Sequence, residues 1–349
     1  MNSLQHTFSL GTFSVAGCAP FAGLVLGERV VALHGLGPLA RSCGVRLTGT
    51  CSVIELLQDC EANFAALQRI VPQLLDEKSS AGAACRALLA DVARLTVHPP
   101  VNLPRQILCS GANYRKHVID LIVDQGDPAS HGMSPDERRA YAGKLMDERA
   151  AKGEPFFFPK MLSAVTGPND PIVLADFVRQ PDWELELGVV IGRSGHNIRL
   201  EEALDHVAGY TIVNDITNRE MVFRRDLKAL GADWVAAKGM PSYLPTGPYL
   251  VPKRFVPNPQ DLRLTLKLNG RIMQDESTAD MIFGVARLIE HVSRFVQLWP
   301  GDLICTGSPA GNGSHYDRFL RPGDLVESTI TGLGVQRNAV MAEQNAPSR

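Results

Sequence analysis

Glu184 and Glu186 stand two residues apart in Asp182-Trp183-Glu184-Leu185-Glu186-Leu187, and the run continues as Gly188-Val189-Val190-Ile191. This alternation predicts a strand. Residues i and i+2 of a strand face the same way, so the two carboxylates project together while Trp183, Leu185 and Leu187 point to the other face. Like charges side by side disfavour a sheet, and a divalent cation between them reverses that penalty. Ligation by oxygen alone suits a hard ion such as Mg²⁺, Mn²⁺ or Ca²⁺. An exposed acidic edge strand would carry the same tripeptide, so its meaning rests on its company.

Four further features supply that company. Gly209-Tyr210-Thr211-Ile212-Val213-Asn214-Asp215 reads as a strand ending in a carboxylate, which makes Asp215 a third oxygen ligand or, alternatively, a helix N-cap. Lys238 lies in Ala236-Ala237-Lys238-Gly239-Met240-Pro241, apolar surroundings that suit a lysine facing a pocket and an anionic oxygen as well as one in solvent. His117 and Asp120, three apart, meet on a helix, either as a general base with an orienting carboxylate or as a surface pair. Thr306-Gly307-Ser308-Pro309-Ala310-Gly311-Asn312-Gly313 is a Gly-rich loop after a strand. Its N–H groups suit a substrate carboxylate, although an ordinary turn reads the same way and the GK[ST] of a P-loop is missing. No G-x-S-x-G elbow and no His/Cys ligand spacing occurs, which disfavours serine-hydrolase and zinc chemistry.

The elements that must position these groups fall into two parts. Residues 1–100 form a small N-terminal α/β domain: short apolar runs punctuated by Gly, then a helix from Ser52 to about Ile70 with Pro72 just past its end. Prolines 99, 100 and 104 mark a linker over 97–104. Residues 101–349 form the second domain, with a polar insertion at about 121–154. In it, Ser134-Pro135-Asp136-Glu137 starts a helix through a capping box, and Gly153 stops it. Asn269-Gly270 turns a hairpin. Thr278 is expected to cap an amphipathic helix bearing Ile282, Val285, Leu288, Ile289, Val292 and Val296. The tail from Glu343 to Arg349 should fray.

The chain has 349 residues with a formal charge of −2, and no basic block appears, which argues against nucleic acid or a membrane surface as partner. No apolar run reaches membrane-span length, and Met1 to His6 show no secretory pattern. Seven scattered cysteines without CxxC fit reduced thiols in the cytoplasm.

In this order the motifs resemble the fumarylacetoacetate hydrolase family over about residues 105–335. G-x-N-Y-x-x-H is Gly111 to His117, E-x-E is Glu184 to Glu186, and G-Y-T-x-x-N-D is Gly209 to Asp215; Arg219, Lys238 and Gly247-Pro248 follow. N-G-x-x-x-Q is Asn269 to Gln274, then come Thr278, Pro300-Gly301-Asp302 and Thr306 to Pro309. The resemblance implies a β-rich α+β fold, with a mixed β-roll or sandwich as C-terminal domain, in a homodimer. It implies Mg²⁺ or Mn²⁺ on Glu184, Glu186 and Asp215. His117, Asp120 and Lys238 would be catalytic, and Asn113, Tyr114, Arg219, Gly307, Ser308 and Thr278 would bind substrate. The implied reaction is hydrolysis of a C–C bond in an acylpyruvate-like 2,4-dioxo acid. Isomerase, hydratase or decarboxylase chemistry on a chelated 2-oxo acid is the alternative, and a non-catalytic scaffold is a third reading that three converging carboxylates oppose. Asp120 stands where the family often has Glu, Pro241 where many relatives have Asp, Ser308 for the commoner Thr, and Val222 where several carry Gln. The 121–154 insertion is expected near the site as a lid.

Overall fold

Leu185–Ile191 is a strand buried along its whole length, not an exposed edge. It lies third in a six-stranded sheet whose order is Val251–Pro252, Val207–Asn214, Leu185–Ile191, Leu303–Cys305, Ile107–Gly111 and Phe156–Pro159. The structure is a computed structural model that describes residues 7–125 and 128–345. The tail from Ala346 onward and residues 1–6 lie outside the described residues, as do 126–127 of the insertion.

The register of this sheet builds the site. Leu185–Ile191 pairs antiparallel with Val207–Asn214, Leu185 opposite Asn214 and Glu186 opposite Val213. Antiparallel pairing brings the start of one strand to the end of the other. Glu184 and Glu186 therefore meet Asp215, whose N–H donates to Glu184 O at 2.8 Å. Glu184 itself precedes the regular strand, its N–H held by Asn214 Oδ1 at 2.9 Å. On the other side, Leu303–Cys305 runs parallel to Ile107–Gly111, which delivers the Gly-rich loop and the segment leading to His117 to the same end of the sheet.

A five-stranded sheet ordered Arg271–Ser277, Arg263–Leu268, Leu325–Ile330, Gly334–Ala342 and Ile172–Leu174 shares one apolar core with the first. Gln274 links the two: its Oε1 accepts from Leu185 N–H at 3.1 Å and its Nε2 donates to Ser308 Oγ at 2.9 Å. Asn269 and Gly270 have φ of 52° and 82°, as the expected hairpin turn requires. Gly209 sits where Val207–Asn214 meets Val251–Pro252, and a Cβ there would lie 2.2 Å from Val251 O. Gly209→Ala should therefore destabilise the fold by about 1–3 kcal/mol, as overpacking does; a shift of the denaturant midpoint at constant m-value checks this.

The N-terminal strands Ala90–Asp91, Arg29–Ala32, Phe21–Leu26, Ser9–Ser14 and Thr96–His98 form a third sheet, in that order. Val97 and His98 thus belong to the sheet, and the proline stretch starts after them. The helical region is longer than expected: Ser52 caps a short turn, and Cys60–Leu75 contains Pro72. Pro72 lies in the last turn of that helix, its carbonyl accepting from Asp76 N–H, and the helix stops three residues after it. Thr278 does not cap the later helix, which is shorter, Val285–Val292, with Gly284 as its N-cap.

The helix Arg115–Gln125, which leads into the insertion, pairs with Pro135–Lys152 inside it around a small core of Val118, Ile119, Ala142 and Met146. The Ser134–Glu137 capping box is present, and the helix ends at Gly153. All seven cysteines are free. Among the described residues no helix is long and apolar enough to cross a membrane.

Candidate metal centre and active site

Glu184, Glu186 and Asp215 each place a carboxylate oxygen within 4.8 Å of the others, and all three are buried. Burying like charges so closely requires compensation. Lys238 supplies part of it: its Nζ donates to Glu184 Oε2, Asp215 Oδ2 and Thr217 Oγ1, each at 2.6 Å. Lys160 Nζ donates to Asp215 Oδ1 from the other side. Arg219 donates through Nη2 to Glu184 Oε1 and through Nε to Asp182 Oδ2, both at 2.7 Å. Asp182, Glu184, Glu186 and Asp215 thus face three cations.

The balance is uneven. Burial opposes ionisation of Glu184, but Arg219 and Lys238 outweigh it and hold the carboxyl well below the usual range. Burial lowers Lys238, and Asp215 and Glu184 overcome that, so the ammonium stays charged. Glu186 has no comparable partner. Burial, then Asp215 and Glu184, push its carboxyl well above the ordinary value. The donor set therefore fits a hard divalent cation: three oxygen ligands, one of them short of positive charge.

These groups line a cavity of about 570 Å³ that also takes in His117, Ser308, Phe158, Trp234, Val222, Phe223 and Arg219. A larger groove of about 810 Å³ lies beyond the Phe156–Pro159 strand, lined by Phe157, Met161, Leu162, Val292 and Phe295. Among the described residues its lining has no carboxylate, and the triad lies in the smaller cavity.

His117 sits on the Arg115–Gln125 helix at the cavity wall. Burial pushes its pKa down to about 4, against the pull of Glu184. The imidazole is neutral at pH 7 and free to accept a proton. The expected hydrogen bond to Asp120 is not made; Asp120 Oδ1 instead accepts from Arg139 Nη1 at 3.0 Å. A guanidinium outcompetes a neutral imidazole for a carboxylate. Among the described residues the 121–154 insertion contributes Leu121 to the wall.

Several residues expected to bind substrate lie behind the wall. Asn113 donates to the carbonyls of Phe283 and Thr306 and accepts from Phe283 N–H. Tyr114 is wholly buried, and Thr278 Oγ1 accepts from Leu262 N–H at 2.9 Å. Asn113 and Thr278 are bonded to backbone groups, and none of the three lines the cavity. Two N–H groups of the Gly-rich loop, with that of Ser314 just past it, are taken by protein carboxylates. Gly307 donates to Glu186 Oε2 at 2.7 Å, and Gly313 and Ser314 donate to Asp182. Ser308 alone of the predicted loop residues faces the cavity.

Three members of the network were not expected. Lys160 follows Phe156-Phe157-Phe158-Pro159 and precedes Met161-Leu162, the same apolar context that singles out Lys238. Asp182 shares the strand parity of Glu184 and Glu186, so one more step along the alternation reaches it. Thr217 carries no signal of its own.

Two sheets closed over one core, with a carboxylate triad at the strand ends, make this a fold of fumarylacetoacetate hydrolase type. The solved fumarylacetoacetate hydrolase of Exiguobacterium antarcticum matches it with a TM-score of 0.70 at 25% identity, over 97% of this chain and 100% of that one. The family model for the fumarylacetoacetate (FAA) hydrolase C-terminal region matches residues 106–341, and the chain belongs to the fumarylacetoacetate hydrolase family. It is 36% identical over 292 residues to 2,4-didehydro-3-deoxy-L-rhamnonate hydrolase of Sphingomonas sp. (strain SKA58), covering 81% of this chain and 90% of that protein. It is 33% identical over 283 residues to a mitochondrial oxaloacetate tautomerase of Homo sapiens, covering 79% and 81%. The relatives thus include both hydrolases and tautomerases of oxo acids.

Proposed function

We propose that the chain is a Mg²⁺- or Mn²⁺-dependent hydrolase that cleaves a C–C bond in an acylpyruvate-like 2,4-dioxo acid. The observation that carries this reading is the convergence of Glu184, Glu186 and Asp215 in one cavity with a neutral His117. These carboxylates would hold the ion, which when bound supplies Lewis acidity and a template for an oxo acid. The protein's own groups do the rest. His117 takes a proton from water at a ring nitrogen and so makes the nucleophile. Lys238 and Arg219 fix the carboxylates in place. Ser308 offers a hydroxyl at the inner end, itself positioned by Gln274.

The 36% identity to a hydrolase of a 2,4-didehydro sugar acid supports this choice of reaction. A second reading, tautomerase or isomerase, is favoured by one observation: Asp120 is committed to Arg139 and does not orient His117. Enolisation needs a proton carrier but no aimed water. His117→Ala separates the two. Under the hydrolase reading, pyruvate release from acylpyruvates falls about 10²–10⁴-fold while Mn²⁺ affinity is kept. Full pyruvate release by the variant would discard the hydrolytic role of His117.

A further inference from the structure

The outer part of the catalytic cavity differs in character from its inner end. An apolar wall leads outward from Lys238, whose Nζ lies 5.2 Å from the ring centroid of the buried Phe158. Phe158 stacks on the half-buried Trp234, ring centroids 4.5 Å apart and 13° from parallel, and Val222 and the exposed Phe223 also line the cavity. The only described cations of the lining are Lys238 and Arg219. Lys238 is surrounded by acceptors, as described above. Arg219 is shared between two carboxylates, Asp182 and Glu184, and only its Nη1 carries no hydrogen bond. It can donate to a neutral oxygen, but its charge is already more than balanced. At the mouth stands Asp317, exposed and without an ion pair among the described residues. A neighbouring cavity that shares His117 and Leu121 adds Asp120, which is paired with Arg139, and Asp124, which lies 3.6 Å from His315 Nδ1, so neither brings a free cation. Arg224 is ion-paired to Asp226 and Asp233, and neither it nor Arg225 lines the cavity.

We infer that the site selects monocarboxylic oxo acids: the distal end of the substrate is uncharged, with one apolar face against Trp234 and Phe223, and Asp317 excludes a second carboxylate. This rests on the inner-end reading proposed above and adds the substrate's other half. A carboxylate at the distal end would meet the unpaired Asp317 and, among the described residues of the lining, no free cation, and like-charge juxtaposition of this kind is a device for rejecting the wrong partner. A neutral chain buries apolar area there instead.

The test compares 2-oxohexanoate with 2-oxoadipate, which have the same chain length and differ in the terminal carboxylate. Calorimetry on the Mn²⁺-loaded protein should give at least about tenfold tighter binding of 2-oxohexanoate. Asp317→Asn should narrow the gap by improving 2-oxoadipate more than 2-oxohexanoate. Asparagine tolerates the left-handed backbone that Asp317 adopts, φ 48°, so the loop survives the change. Equal or tighter binding of 2-oxoadipate to the unmodified protein overturns the inference and leaves the hydrolase reading standing. A preserved preference in a protein that releases no pyruvate from any acylpyruvate upholds the inference and removes the hydrolase reading. Failure of both acids to bind overturns the inference together with the inner-end reading.

Discussion

Glu186→Gln should abolish Mg²⁺ and Mn²⁺ binding while making the metal-free protein more stable at neutral pH. The two effects have one cause. Glu186 is 2% exposed, and its carboxylate accepts from Gly307 N–H but contacts no cation. Burial, then Asp215 and Glu184, raise its folded-state pKa. A carboxyl with a raised folded pKa contributes stability below its unfolded pKa, about 4.3, and loses it as pH rises through the folded value. At neutral pH the metal-free wild type therefore carries a penalty that a divalent cation relieves. Glutamine has no proton to gain or lose, and its carbonyl still accepts from Gly307. The variant should melt higher without metal and lack that component of the decline in stability above pH ~4.3. Its metal affinity should fall by more than about 100-fold, the upper end of what loss of a merely supporting group costs. The rise in melting temperature that Mn²⁺ gives the wild type, which follows ligand concentration over Kd, should vanish. A variant that melts lower without metal, or still binds Mn²⁺ normally, would contradict the triad as described.

The triad was legible in the sequence because it depends on two local rules. Strand parity puts Glu184 and Glu186 on one side, and a strand ending in Asp215 needs only antiparallel pairing to deliver its carboxylate. Both rules act over a few residues. The compensating charges obey no such rule. Lys160 reaches Asp215 across 55 positions, and Arg219 reaches Asp182 across 37. Nothing local states that two lysines share one aspartate. Asn113, Tyr114 and Thr278, none of which lines the cavity, show the limit of motif reading from the other side. They belong to the motifs, but a motif does not say whether a polar group faces substrate or scaffold. Asn113 satisfies buried backbone groups of Phe283 and Thr306, a demand that burial imposes and that only the folded chain reveals. The Gly-rich loop is similar: that it offers N–H groups was legible, but not that Gly307 gives its own to Glu186 and Gly313 its own to Asp182. The His117–Asp120 spacing was read correctly as helical, and the competing Arg139 comes from another helix.

Lys238→Met separates catalysis from ligation. Lys238 is buried, and its removal leaves Glu184 with Arg219 and Asp215 with Lys160. Breaking such a buried ion pair destabilises by about 3–5 kcal/mol, so the metal-free variant should unfold more readily than wild type. Metal affinity should move the other way. With one cation fewer beside the three carboxylates, Mn²⁺ binds at least as tightly, and the bound ion takes over part of the compensation Lys238 gave. The variant should therefore gain more thermal stability from Mn²⁺ than wild type does. Turnover should nevertheless fall about 10²–10³-fold, the usual effect of deleting a group that faces developing negative charge, since Lys238 lines the cavity and points at its carboxylate end. Lys238→Arg should not restore it: a planar fork replaces a point charge that must serve Glu184, Asp215 and Thr217 at once. A purely structural lysine predicts a different pattern, in which metal affinity and turnover fall together and recover together when the protein is cooled or stabilised. Calorimetry of Mn²⁺ binding beside kcat, on the same folded sample, distinguishes the two. Tight metal with lost turnover assigns Lys238 to the chemistry; parallel loss assigns it to the scaffold.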